Sequence, residues 1–111
     1  MQQDTLSLTF AALADPTRRA ILARLRQGDA SVAELAEPFD MTVRAVSKHV
    51  GVLEAAGLVT RGRDAQRRPS RIRAEPLAAV DEWLDDYRAL WNARFDKLEK
   101  RLENLKSGDK K

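Results

Sequence analysis

The chain has 111 residues, of which 43% are hydrophobic and 33% charged, so it can form one folded domain with its own core. It holds no cysteine, which excludes disulfides and thiolate metal sites, and no apolar run approaches the roughly 20 residues of a membrane span. The net charge is only +3, but residues 41–76 carry eight arginines and lysines against three acidic residues. Such a local excess of positive charge is typical of a surface that binds a polyanion.

Two helices are predicted in the first part of the chain. A helix over 5–14 is predicted because apolar residues recur there at helical spacing, namely Leu6, Phe10 and Leu13. The pair Asp15-Pro16 then supplies an N-cap followed by proline at the first helical position, so a second helix starts at this point. Gly28 is well placed to end it, because glycine is the residue most often found just after a helix C-terminus.

Two further helices are predicted with a short turn between them, an arrangement typical of a helix-turn-helix. Ser31 and Glu34 have the spacing of a capping box, which predicts a third helix, and Pro38 ends this helix near Glu37. Thr42 is the predicted N-cap of a fourth helix. The inner face predicted for that helix consists of Val43, Val46, Val50 and Leu53, and its outward face of Arg44, Ser47, Lys48 and Gly51.

The predicted structure changes from helix to strand after Gly57. Two strands are predicted over 58–63 and 70–75, joined by a connection over 64–69. Because side chains alternate along a strand, Ile72 is expected to face inward, between two arginines that face outward. The segment therefore predicts a basic β-hairpin.

The last third of the chain predicts one long helix that begins near Leu77. Leu84, Trp91, Leu98 and Leu105 recur every seven residues, and Tyr87, Phe95 and Leu102 lie near the complementary positions. The aromatic residues Trp83, Tyr87 and Trp91 could also line a ligand pocket. A stripe at helical spacing, however, more often forms core packing or a dimer interface than a pocket. We expect one domain over 1–106 and a disordered tail over 107–111.

Together these elements predict a mainly α fold with a small β-hairpin, a winged helix-turn-helix with about five helices and a two-stranded wing. In such a fold the second helix of the pair enters the major groove, and hairpin arginines suit phosphates or a narrow minor groove. For His49, a DNA contact and a packing role are equally open. The predicted DNA-binding residues are Thr42, Val43, Arg44, Ser47, Lys48 and His49 on the helix, and Arg61, Arg63, Arg67, Arg68, Arg71 and Arg73 on the wing.

Four stretches carry a recognisable pattern: LADPTRRAIL at 13–22, SVAELA at 31–36, AVSKHV at 45–50 and LEAAGLV at 53–59. In this order and spacing they resemble the ArsR family of bacterial winged-helix repressors, and the resemblance extends over 6–102. It implies a homodimer that binds double-stranded operator DNA and represses transcription, with its first and last helices at the dimer interface. The interface residues would be Leu6, Phe10, Leu84, Tyr87, Trp91, Phe95, Leu98 and Leu102.

The sequence departs from the family pattern in ways that limit what can be transferred. Val43 stands where a polar residue is usual, so no operator sequence can be inferred, and Asp40 replaces a turn glycine. Founding members of the family sense metals through cysteines in the third helix or His/Asp pairs in the last, and this chain has neither. The acidic residues at 81–86 fit the dipole of a helix start better than a metal site. We expect no metal and no cofactor, and the inducer is unknown.

A function of another class stays open, namely a protein-interaction module whose last helix pairs with a different chain. An enzyme is disfavoured because the sequence has no phosphate loop, catalytic triad or metal-ligand cluster. RNA binding is disfavoured because the basic segment has no aromatic stacking platform. The first ten residues lack the basic start and apolar block of a secretory signal, so we expect a cytoplasmic protein without a membrane partner.

Overall fold

The computed structural model describes residues 4–62 and 69–108, with the side chains of the last two excepted. Its elements in chain order are α1 (Thr5–Leu13), α2 (Pro16–Leu25), α3 (Val32–Ala36), α4 (Val43–Ala55), β1 (Val59–Arg61), β2 (Ser70–Ile72) and α5 (Glu75–Gly108). Five helices and an antiparallel two-stranded hairpin within these ranges confirm the predicted fold class. Among those helices, none is both long enough and apolar enough to cross a membrane.

Each of the first four helices starts at a side-chain cap. The caps are Asp4, Asp15, Ser31 and Thr42, and each accepts a hydrogen bond from the backbone N–H three residues further on. At Ser31 the bond is reciprocated, because the Glu34 carboxylate accepts from the Ser31 N–H at 3.2 Å. These caps satisfy donors that a helix N-terminus otherwise leaves free. The predicted starts of α2, α3 and α4 are confirmed.

The end of α4 is fixed by a glycine that turns the chain toward the hairpin. Gly57 has a φ of 80°, in the left-handed region that favours glycine. Its N–H donates to the Glu54 carbonyl and the next N–H, of Leu58, donates to the Leu53 carbonyl, both at 2.9 Å. This pair of bonds is a Schellman motif. It stops α4 at Ala55, and the chain enters β1 at Val59.

The core of the first part of the chain joins all its helices to the hairpin. In α4 the side chains of Val46, Val50 and Leu53 are fully buried, and each contributes about 1.5–3 kcal/mol by leaving water. Val43 was also expected on this inner face, and that expectation is wrong because 52% of it is exposed. It is the first residue of α4, one helical turn before Val46, and the buried row of the helix begins only at Val46.

The hairpin is attached to the segment that precedes α3. β1 pairs with β2 in antiparallel register, with Val59 opposite Ile72. The backbones of Ala30 and Ser70 exchange hydrogen bonds of 3.1 and 2.7 Å, which adds an isolated bridge beside β2. Ile72 packs against the core and Arg71 is exposed, as the alternation predicts. The hairpin is therefore held to the start of the helix-turn-helix unit.

The chain divides into two compact units, one ending at Val80 and the other beginning at Asp81. The second unit is helical as far as Gly108, which is one residue beyond the predicted start of the tail at 107. It carries a row of apolar side chains that we name the α5 stripe, consisting of Leu84, Tyr87, Trp91, Phe95, Leu98, Leu102 and Leu105. The last four of these are more than half exposed. The single domain over 1–106 stays a prediction.

Candidate nucleic-acid interface

The outward face of α4 presents cations that the rest of the described chain leaves free. Arg44 and Lys48 are exposed, lie one helical turn apart and have no ion pair or hydrogen bond to other described residues. Thr42 and Val43 are exposed beside them, and Ser47 is half-buried. A free guanidinium and a free ammonium on the face of a helix can meet phosphates or base edges. This is the arrangement that a recognition helix, the helix that enters the major groove, needs.

Arg61, predicted as a wing contact to DNA, is instead bonded to α4. Its Nη2 donates to the Ser47 carbonyl at 3.0 Å, and its Nε lies 3.7 Å from a Glu54 carboxylate oxygen. The side chain is only 16% exposed. Arg61 therefore ties β1 to the middle of α4. These contacts hold the hairpin and the helix in one arrangement.

We expect Arg61→Ala to lower the free energy of unfolding by about 1.5–3 kcal/mol, because a charged hydrogen bond to a half-buried carbonyl is lost. Urea unfolding followed by circular dichroism measures the change. Arg71→Ala is the matched control, since it removes the same side chain from an exposed position of the partner strand, and its effect should be clearly smaller. Equal losses in the two variants would contradict a specific role for the bond between Arg61 and α4.

The other described wing arginines are paired with carboxylates. Arg71 donates to both carboxylate oxygens of Asp29 at 3.0–3.3 Å, and this hydrogen bonding with its charge raises the pKa of Arg71. The Nε of Arg73 lies 3.5 Å from a carboxylate oxygen of Glu75. A phosphate would have to share these cations with their present partners. Arg63, Arg67 and Arg68, the remaining predicted wing contacts, lie outside the described residues.

His49 lies against the start of α2. Its Nδ1 is 3.4 Å from Arg18 Nη1 and 3.9 Å from the carboxylate of Asp15, and its side chain is 21% exposed. The hydrogen bond from the backbone N–H of Arg18 is the main cause that lowers the pKa of Asp15 below its ordinary value of 3.8. Of the two roles predicted for His49, these contacts favour packing between α4 and α2.

Arg18 is a structural residue that the sequence analysis did not single out. Its Nε donates to the Ala12 carbonyl at 2.7 Å and its Nη2 to the Ala11 carbonyl at 3.0 Å. It thereby satisfies carbonyls at the end of α1 while contacting His49 on α4. Its place two residues after Pro16, inside the first family-like stretch, is the signal that could have indicated it.

The residues predicted for the dimer interface carry exposed apolar surface in both units. In α1, Leu6 is half-buried and Phe10 is 40% exposed. In α5, Leu84 and Trp91 are half-buried, and the exposed members of the predicted set are Tyr87, Phe95, Leu98 and Leu102. The ring of Tyr87 lies 4.9 Å from that of Trp83, centroid to centroid. Apolar side chains exposed in a continuous row are typical of an interface.

The acidic start of the second unit is partly neutralised by one arginine. Arg88 bonds to the carboxylates of Asp81 and Asp85, the latter at 2.8 Å. Glu82 and Asp86 are exposed. Across residues 4–62 and 69–108, no three acidic or histidine side chains are grouped so that they could hold a metal ion. The contacts of Arg88 give Asp81 and Asp85 a structural role on the helix surface.

Comparison with protein families and curated proteins agrees with this geometry. Residues 13–62 match a helix-turn-helix domain family. The chain is 42% identical over 78 residues to the HTH-type transcriptional regulator Rv2034 of Mycobacterium tuberculosis, covering 70% of this chain and 73% of that protein. It is 37% identical over 57 residues to the transcriptional repressor SdpR of Bacillus subtilis, covering 51% of this chain and 63% of that protein.

Solved structures show the same fold. An ArsR family transcriptional regulator, RHA00566, matches with a TM-score of 0.74 and 44% identity, covering 80% of this chain and 98% of that one. The homodimeric winged helix-turn-helix domain of Mb0332 from Mycobacterium bovis matches with a TM-score of 0.62 and 28% identity, covering 78% and 80%. With the exposed cations of α4 and the hairpin tied to it, these similarities establish that the chain belongs to the ArsR family of helix-turn-helix transcriptional regulators.

Proposed function

We propose that the protein is a homodimeric repressor that binds a pseudo-palindromic operator in the cytoplasm. The observation that carries the proposal is the pair of free cations, Arg44 and Lys48, on the outward face of α4. A helix entering the major groove with a cation at each of two successive turns can bond to guanine edges and flanking phosphates. Val43, exposed at the start of that helix, suits an apolar contact such as a thymine methyl group.

Dimerisation is supported by the exposed α5 stripe. Full burial of an exposed leucine or aromatic side chain contributes about 1.5–3 kcal/mol, and covering the exposed part of each stripe residue contributes a share of this. A second copy of α5 offers a matching row. Mb0332, a relative in fold, is homodimeric. In a dimer, two copies of α4 can read half-sites that lie about one turn of DNA apart. The α1 residues Leu6 and Phe10 are the second part of the proposed interface.

Repression is supported by the relatives rather than by a residue. SdpR is a transcriptional repressor, and occupation of a promoter by a dimer of this kind excludes other proteins from the same DNA. We propose a role in binding and not in catalysis. The proposed partners are double-stranded DNA and a second copy of this chain, and no membrane partner is proposed.

A salt titration of DNA binding tests the proposal. A duplex selected for this protein from a randomised pool is titrated at several salt concentrations, beside a scrambled duplex of equal length. The logarithm of affinity should fall linearly with the logarithm of salt concentration, with a slope near −0.9 per phosphate contact. The selected duplex should bind about 10³-fold or more tightly than the scrambled one. A protein that binds neither duplex at micromolar concentration in low salt refutes the proposal.

A further inference from the structure

The first unit contains an apolar groove that DNA binding does not use. It has a volume of about 450 Å³, within the range of small-molecule sites. We name it the α2–β2 groove. Its apolar lining comes from Leu13, Leu22, Ala23, Ile72, Ala74 and Leu77, and its remaining lining residues are Arg19 and Arg26.

The charge of this groove has one sign. Two arginines line it and no acidic residue does. The Nη1 of Arg19 donates to the Leu13 carbonyl at 2.7 Å, which fixes the guanidinium at the groove while leaving most of its donors available. Arg26 is exposed, and its side chain has no hydrogen bond or ion pair to other described residues. Apolar walls that also carry two cations are complementary to an apolar molecule that ends in an anion.

We propose that the α2–β2 groove binds an amphipathic organic carboxylate, and that this molecule is the effector that weakens DNA binding; the second part rests on the proposed function. The hydrocarbon body occupies the apolar walls and the carboxylate bonds to Arg19 and Arg26. An occupant wedged between α2 and β2 displaces β2, and β2 is paired with the strand that Arg61 holds to the recognition helix. Because the linkage is reciprocal, DNA must weaken ligand binding by the same factor.

Calorimetry with three probes tests the ligand chemistry. Decanoate, kept below its micelle concentration, has both a long hydrocarbon chain and a carboxylate. Decanol has the chain without the charge, and acetate has the carboxylate without the long chain. We expect decanoate to bind about tenfold or more tightly than decanol, since a charge-assisted hydrogen bond is worth at least that factor. Acetate should not bind measurably. Equal affinities for decanoate and decanol, or no binding of decanoate, overturn the proposal.

Variants locate the site. Arg19→Gln with Arg26→Gln should weaken decanoate about tenfold or more and leave decanol unchanged, whereas Lys97→Gln with Lys100→Gln, the charge-matched control on α5, should change neither. Ala23→Trp fills the groove and should abolish decanoate binding. Undiminished binding in Ala23→Trp overturns the site. If Ala23→Trp instead makes a dimeric protein monomeric and the unchanged protein binds no decanoate, a second copy occupies the groove and the proposal is also overturned.

DNA affinity separates this inference from the proposed function. Each variant is titrated with the selected duplex, first without ligand and then with saturating decanoate. We expect decanoate to weaken DNA binding by the unchanged protein and to leave DNA binding by Ala23→Trp unaffected. If the unchanged protein binds DNA tightly and decanoate alters nothing, the effector role fails while the proposed function stands. If the protein binds no DNA at all, the proposed function fails, and calorimetry still decides whether the groove takes the carboxylate.

Discussion

A variant with Leu98→Glu and Leu102→Glu is expected to sediment as a monomer and to bind its selected duplex about 10²–10⁴-fold more weakly than the unchanged protein. Both leucines belong to the α5 stripe and are about half exposed, at 52% and 51%. Carboxylates at these positions would have to be buried beside apolar side chains of a second copy, which is strongly unfavourable. A monomer then holds only one half-site and loses the gain from binding two linked sites at once.

The control for this variant changes charge by the same amount on the opposite side of the helix. Lys100→Gln with Asn104→Glu makes the net charge more negative by two at exposed positions outside the α5 stripe. This control variant should remain dimeric. Its affinity for the selected duplex should lie within a few-fold of that of the unchanged protein, because charges far from the DNA are largely screened by salt. Sedimentation velocity measures the oligomeric state, and duplex titration measures the affinity for DNA. A stripe variant that stays dimeric would show that α5 does not form the interface.

Arg44→Ala with Lys48→Ala is expected to remove most of the preference for the selected duplex. A side chain bonded to a base edge carries about 1–3 kcal/mol of discrimination in each half-site, and each lost phosphate contact flattens the salt slope by about 0.9. Neither residue is buried, so the melting temperature should change little. Titration of the selected and scrambled duplexes at several salt concentrations measures both effects.

The single variants assign the two side chains. If Arg44 contacts a base, Arg44→Ala should weaken the selected duplex more than the scrambled one, whereas a phosphate contact weakens both equally. Lys100→Ala with Lys106→Ala removes the same charge from α5 and should leave the preference for the selected duplex unchanged. A double variant of α4 that retains its full preference for the selected duplex would exclude this helix as the recognition helix.

The sequence was sufficient for those parts of the fold that local chemistry determines. The starts of α2, α3 and α4 depend on caps whose partner lies three residues away, so Asp15, Ser31 and Thr42 were enough to predict them. The stop at Gly57 is equally local, because it depends on one backbone conformation. The exposure of Val43 was mispredicted because periodicity assigns a face to a helix but not the position along it where the core begins.

Several predicted site residues make contacts that the sequence analysis did not anticipate, and these contacts join distant parts of the chain. Arg61 reaches Ser47, which is 14 residues away, and Arg71 reaches Asp29 across 42 residues. An arginine on a hairpin has the same pattern whether it faces solvent, a carboxylate or a helix backbone. Only the packing of the hairpin against the helix-turn-helix unit distinguishes these cases. For the same reason the contact of His49 with α2 could not be read from its neighbours in sequence.

The bond from Arg61 to α4 has a consequence for how this protein can evolve. It is made to the backbone carbonyl of Ser47 and not to a side chain, so any residue at that position leaves the same acceptor in place. A β-carbon added at Gly51 would meet Arg61 only at ordinary contact distance, 3.9 Å from its Nη2. The exposed residues of α4 that we propose to contact bases can therefore be exchanged while the bond that holds the hairpin is kept. Paralogues descended from such a chain can acquire new operators by altering α4 alone, without a compensating change in the wing.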